Sequence, residues 1–150
     1  MVEWIEKNFE KGNDILDICI RADQLNTSDF ERFAVEIVKK KFNCDKVHGF
    51  CEGPDDGIDG VDDIINPEIV VQAKRWKPTK TLASAVKEIK DEIDKIKKTK
   101  EKYNWGNFKY VIVTSINLTP KRLKEIREYA NEKIPNAVSS DDQIIFSRKL

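Results

Sequence analysis

Two stretches hold the residues whose types and spacing could do chemistry: Gly53-Pro54-Asp55-Asp56-Gly57-Ile58-Asp59-Gly60 and Ile69-Val70-Val71-Gln72-Ala73-Lys74-Arg75-Trp76. In a strand, residues i and i+2 share a face, so Gln72 and Lys74 project together. Asn66-Pro67 reads as a tight turn; a two-residue loop there sets position 65 against 68 and Asp59 directly across from Lys74. A looser loop of the same parity keeps Asp59 on that face. A carboxylate, an amide oxygen and an ammonium would then meet in one small volume. Lysine in a mostly apolar strand needs an anion beside it, which Asp59 or a phosphate could supply.

Such a trio suits phosphodiester hydrolysis. Mg²⁺ takes hard oxygen ligands, and the Asp59 carboxylate, the Gln72 amide oxygen and the Ala73 backbone carbonyl offer them, with Mn²⁺ expected to substitute. The metal lowers the pKa of a bound water and offsets charge on the phosphate. Lys74 can orient or help deprotonate that water and stabilise the developing negative charge. The competing reading is an ordinary hairpin with a cross-strand ion pair. The glycines around Asp59 and the short apolar strand ending in Gln-Ala-Lys weigh against it.

Other residues invite chemistry less. Asp55 and Asp56 fit turn positions as well as a secondary role around metal or DNA. Cys44, His48 and Cys51, with Cys19, have no paired Cys-x2-Cys spacing, so zinc is not expected and the thiols read as core or edge residues. Nothing places His48 near Asp59 as a base. The run from Lys74 to Lys80 is the most basic of the chain. Arg75, Lys77 and Lys80 could neutralise phosphates, and Trp76 could stack on or wedge between bases. Equally open is an exposed loop with Trp76 packed into the core.

The elements that must position these residues follow from periodicity. Residues 1–25 begin as a helix with Trp4, Ile5 and Phe9 on one side, break at Gly12-Asn13, and continue as a second short helix over 15–20. A helix over 29–41 presents Phe30, Phe33, Ala34, Ile37 and Val38, with Ser28 and Glu31 spaced as a capping box. Glu31 falls at the rim of that apolar face, Glu36 on the outer side. Strands are expected at 47–51, 57–65 and 68–76. A long amphipathic helix follows over 81–103, with Leu82, Val86, Ile89, Ile93 and Ile96 in line and mixed charge outside. The apolar run 108–115 reads as a strand buried on both faces. Thr119-Pro120 starts a helix burying Leu123, Ile126 and Ala130, and 143–147 closes as a strand. Strand–helix–strand connections imply parallel pairing after an initial antiparallel hairpin. The fold class is α/β, a mixed sheet flanked by helices.

Composition sets outer bounds. The chain of 150 residues, 39% hydrophobic and 36% charged, suits one globular domain. Lysine plus arginine equals aspartate plus glutamate at 27 each, so a phosphate-binding surface must come from local segregation of charge. The N-terminus predicts no signal peptide, and no run is apolar enough for a membrane span. Three cysteines without an export signal suggest reduced thiols and a cytoplasmic setting. The sequons at Asn26 and Asn117 are then chance.

Phe30-Glu31 on a helix, Gly57-Ile58-Asp59-Gly60, and Val71-Gln72-Ala73-Lys74-Arg75-Trp76 resemble the Mrr family of restriction endonucleases. In that branch of the PD-(D/E)xK nucleases, Gln replaces the usual acid before x-Lys. Tyr110-Val111-Ile112-Val113-Thr114 is similar to the family's core strand ending in Thr. The resemblance covers 29–147 and suggests an N-terminal helical extension over 1–28 with a nuclease domain over 29–150. Ile144-Ile145-Phe146-Ser147 lacks the Asp that often follows the family's last strand. The resemblance implies a restriction-endonuclease-like fold and Mg²⁺-dependent cleavage of double-stranded DNA, with Asp59, Gln72 and Lys74 catalytic and Glu31 assisting. Alternatives are a structure-selective nuclease like a Holliday-junction resolvase, or a non-catalytic DNA-binding module; retention of the whole trio argues against the module. A homodimer through 1–28 is expected, since one centre cuts one strand. A recognition or NTPase module would accompany the domain in a larger protein.

Overall fold

The expected helix after residue 25 forms as Thr27–Lys41, α1, two residues earlier than its apolar pattern suggests. Asn26, not Ser28, caps it: the Asn26 side chain accepts from the Asp29 backbone N–H at 2.8 Å. Ser28 and Glu31 therefore lie inside the helix, and the capping box gives way to an Asn cap. The computed structural model describes residues 25–49 and 58–146. The expected helices before residue 25, Asp55, Asp56, Cys19 and Cys51 lie outside those residues.

Short strands β1 (His48–Gly49) and β2 (Gly60–Val61) lead into β3 (Ile69–Lys74). Then come α2 (Leu82–Lys102), β4 (Lys109–Thr114), α3 (Pro120–Lys133), a 3₁₀ turn (Asp141–Gln143) and β5 (Ile144–Ile145). The Thr81 and Thr119 hydroxyls cap α2 and α3, accepting from Ser84 and Arg122 N–H, and the Thr119 cap is the expected one. Past the ends of α1 and α2, Asn43 and Asn104 take the left-handed conformation, with φ of 50° and 53°.

The strands lie in chain order, β1-β2-β3-β4-β5. The first two pairings are antiparallel and the last two parallel. Alternation along β3 and β4 divides the core. Ile69, Val71, Ala73, Val111 and Val113 meet the apolar face of α1. Val70, Tyr110 and Ile112 meet α2 and α3, where Ile89, Ile93, Ile96 and Ile126 are fully buried. Gln72, Lys74 and Thr114 share the parity of this second face.

The hairpin between β2 and β3 corrects one expectation. Gly60 pairs with Val71 and Val61 with Val70, which places Asp59 opposite Gln72 rather than Lys74. The loop is longer than two residues because the chain turns around Asp62, whose Oδ1 accepts from the N–H of Glu68 and Ile69 at 2.9 and 3.1 Å. The slip is two residues, so parity holds and Asp59 stays on the face of Gln72.

Candidate active site

β2 ends where the Asp59 side chain takes over the ladder. The Asp59 N–H donates to Val71 O at 2.9 Å, the last regular bond of the pair. The Asp59 carboxylate then accepts from the Ala73 N–H at 2.7 Å, where a backbone carbonyl would otherwise stand. The same Oδ2 accepts from Gln72 Nε2 at 2.9 Å. Asp59 and Gln72 are both buried, so each of these bonds satisfies a group that water does not reach.

Gly60 makes this approach possible. A Cβ there would stand 3.0 Å from Val35 Cγ2 of α1 and 3.1 Å from the His48 carbonyl oxygen. The second neighbour is backbone and yields little. The glycine after Asp59 thus lets α1, β1 and β2 close around the aspartate.

Gln72 Nε2 lies 2.9 Å from Asp59 Oδ2 and 3.4 Å from Ala73 O. The positive end of the amide sits where those two oxygens converge. A hard cation seated there could take both oxygens, and a half-turn of the amide would add Oε1 as a third. Gln72 Oε1 is buried and has no hydrogen-bond partner among the described residues, so the turn sacrifices none for it. The donor set fits Mg²⁺ or Mn²⁺ in kind: all oxygen, one formal charge. It is not a cluster of acids, and no group of three His, Cys, Asp or Glu side chains among the described residues could hold a metal.

The anion beside Lys74 comes from α2. Lys74 Nζ donates to Glu92 Oε1 at 3.0 Å, and Lys95 approaches the same oxygen at 3.3 Å. Glu92 is buried although it is charged. Sequence reading grouped it with the solvated charges of the helix. Its spacing carried the signal, three residues after Ile89 and four before Ile96, on the apolar stripe itself.

The second buried polar atom without a partner among the described residues is the Tyr110 hydroxyl, on β4 beside this site. Burial, then the negative charges of Glu92 and Asp59, push its phenol well above the ordinary range.

Glu31 sits on α1, which packs on the sheet face opposite Gln72 and Lys74. It lies at the same end of the sheet, because Arg75 Nε, just past β3, donates to Leu25 O at the start of α1. Trp76 takes the core role of the two open to it. Its ring is buried, Nε1 donates to Glu88 Oε2 at 2.6 Å, and its backbone exchanges hydrogen bonds with Ser115 Oγ at 2.7 and 2.9 Å. A ring so covered has no face to offer a base. Lys80 pairs with Glu88 and approaches the Trp76 ring; the Lys80 hydrogen bond is the main cause of a lowered Glu88 pKa. Lys77 is exposed on the loop between. His48 is exposed on β1 with Nδ1 near Lys46 O, and Cys44 is half-buried against the α1 core.

No curated protein and no solved structure matches the chain. No helix of the described residues is long and apolar enough to cross a membrane. The family model Mrr_cat, restriction endonuclease, matches residues 22–134, from before α1 to the end of α3. The match takes in Glu31, Asp59, Gln72 and Lys74 together with β1–β4 of the mixed sheet and the three helices. The chain therefore carries a restriction-type nuclease domain and belongs to the Mrr-like restriction endonuclease family.

Proposed function

We propose that this domain is a Mg²⁺-dependent endonuclease that hydrolyses phosphodiester bonds in double-stranded DNA. The observation that carries the reading is the convergence of Asp59 Oδ2 and Ala73 O on the Gln72 amide nitrogen. Asp59, Gln72 and the Ala73 carbonyl would hold the ion, for which Mn²⁺ should substitute. When bound, it supplies Lewis acidity toward water and phosphate. Lys74, on the same face of β3, donates to the attacking water or to the phosphate oxygen on which charge develops. Glu92 holds the ammonium at one end of its reach through their ion pair. Glu31 assists from α1 at the end of the sheet where β3 leaves. Arg75, Lys77 and Lys80 extend from that end along the phosphate track, with Lys77 the most exposed of the three. Two copies would cut the two strands of a duplex.

The test combines cleavage and binding. Supercoiled, linear and branched DNA are incubated with protein and Mg²⁺, with EDTA as control, for the native chain and Asp59→Ala. Isothermal titration with Mn²⁺ runs on both. Mg²⁺-dependent cleavage and Mn²⁺ binding, both lost in Asp59→Ala with native circular dichroism, support the reading. Equal Mn²⁺ affinity in the variant refutes the ligand set, and cleavage that persists in EDTA refutes the metal. Faster cutting of branched than of linear DNA would redirect the substrate to junctions.

A further inference from the structure

We propose, on the reading of the site given above, that Tyr110 is a positioning residue whose hydroxyl holds the Gln72 side-chain amide through one buried water. Two buried side-chain atoms lack a hydrogen-bond partner among the described residues, Gln72 Oε1 and Tyr110 Oη. One is an acceptor and the other a donor. Their residues sit on adjacent parallel strands: Val70 pairs with Tyr110 and Gln72 with Ile112, so Tyr110 is the diagonal neighbour of Gln72 on the same face. The phenol is buried first of all, and it also feels the negative charges of Glu92 and Asp59.

Buried hydroxyls normally have partners, and phenylalanine would fill the same volume without any polar cost. Tyr110 is fully buried in a wall of Val70, Ile112 and the isoleucines of α2, so the hydroxyl alone sets it apart from its neighbours. Its chemistry suits one task. The phenol stays protonated and serves as neither nucleophile nor base. A hydroxyl both donates and accepts, whereas each end of an amide does only one. With Nε2 on Asp59, the Gln72 oxygen can accept from a water that Tyr110 holds. When a cation draws that oxygen round, the amide NH₂ turns and can donate to the same water. Tyr110 thus satisfies the amide in both orientations and lowers the cost of the half-turn that metal binding requires. A charged acid in place of Gln72 would not need this, because its two oxygens are alike.

Tyr110→Phe tests the role by removing one atom. Three measurements are made: urea unfolding without metal, ¹H–¹⁵N spectra of the Gln72 side chain without metal, and Mn²⁺ titration. An idle buried hydroxyl predicts that the variant is more stable, with Gln72 resonances and Mn²⁺ affinity unchanged, and that result overturns the proposal. A positioning hydroxyl predicts a lower urea midpoint, shifted Gln72 NH₂ resonances, and Mn²⁺ affinity weakened about tenfold. Loss of stability with unmoved Gln72 resonances also overturns it, since the hydroxyl then serves some other partner. If the native chain binds no Mn²⁺, the metal reading of the site fails, and the Gln72 resonances still decide the role of Tyr110. Should Tyr110→Phe not fold, the native protein decides: a slowly exchanging hydroxyl proton of Tyr110 must show a nuclear Overhauser contact to the Gln72 side chain or to a bound water beside it. Absence of both contacts overturns the proposal.

Discussion

Replacing Glu92 by Gln separates the two things its carboxylate does. The Lys74 Nζ to Glu92 Oε1 distance is 3.0 Å, with the two side chains 23% and 11% exposed. At an effective dielectric constant of about 20, unit charges some 4 Å apart attract by about 4 kcal/mol. Desolvation of a half-sheltered pair removes most of that, leaving roughly 1–2 kcal/mol net. Glu92→Gln keeps a hydrogen-bond acceptor for the ammonium and removes the charge, so stability should fall by about 1–2 kcal/mol. Lys95, whose side chain is 60% exposed, turns to water at little cost. If Glu92 also aims Lys74, the ammonium loses its fixed position and the chemical step slows by about 10- to 100-fold, or roughly 1.4–2.7 kcal/mol in barrier. Urea unfolding gives the first number. Single-turnover cleavage at saturating protein and Mg²⁺ gives the second, free of binding and product release. Glu92→Asp, which retains the charge on a shorter arm, should recover part of the stability and less of the rate. A stability loss with an unchanged single-turnover rate would refute the aiming role and leave the pair as a tie between β3 and α2.

Four further outcomes follow from the geometry. Lys74→Ala should abolish cleavage while DNA binding measured by fluorescence anisotropy persists, because in the proposed mechanism the ammonium acts on the transition state. Lys77→Ala should flatten the slope of log affinity against log salt by about 0.9 per lost phosphate contact, and Lys80→Ala, already paired with Glu88, by less. Gly60→Ala should destabilise by about 1–3 kcal/mol in urea unfolding, since its Cβ meets a backbone oxygen at 3.1 Å. Tyr129 donates to Asp94 at 2.7 Å, which raises its pKa to about 12. The stability it contributes is whole below the ordinary tyrosine value of about 10. It is lost as pH rises through about 12. Unfolding midpoints over that window should fall more steeply for the native chain than for Tyr129→Phe.

What could be read from the residues alone was local. α3 begins after the threonine that Thr119-Pro120 pointed to, because a cap acts within one turn. The order of elements and the mixed pairing followed from where turns and crossovers can fit. The face shared by Asp59 and Gln72 survived because parity is all that a strand pattern determines. Register did not survive, since it depends on Asp62 reaching back to two N–H groups across the loop. Likewise the partner of Lys74 sits on another helix, and only the tertiary packing of α2 on β3 brings Glu92 there. Trp76 was undecidable from sequence, because an aromatic ring after a basic strand end suits a groove and a core alike. Asn26 displaced Ser28 as the cap of α1 by the same logic: both have good capping chemistry, and the position of Leu25 under Arg75 favours the earlier start.

The Gln72 amide nitrogen between Asp59 Oδ2 and Ala73 O has a consequence for how two ligands influence one another. A neutral amide in that ligand set leaves Asp59 as its only formal charge. A divalent ion bound there makes the pair net positive, whereas a second carboxylate would have made it neutral. The metal-loaded centre then attracts a phosphodiester more strongly than the metal-free one, and linkage requires the converse. Mg²⁺ held alone should be weak, since the ion must displace an amide already satisfied on Asp59. Mg²⁺ held with DNA should be tighter by the same factor by which Mg²⁺ tightens DNA. A nuclease built as proposed would load its metal chiefly when substrate is present, and free Mg²⁺ would set its activity through occupancy of the ternary complex.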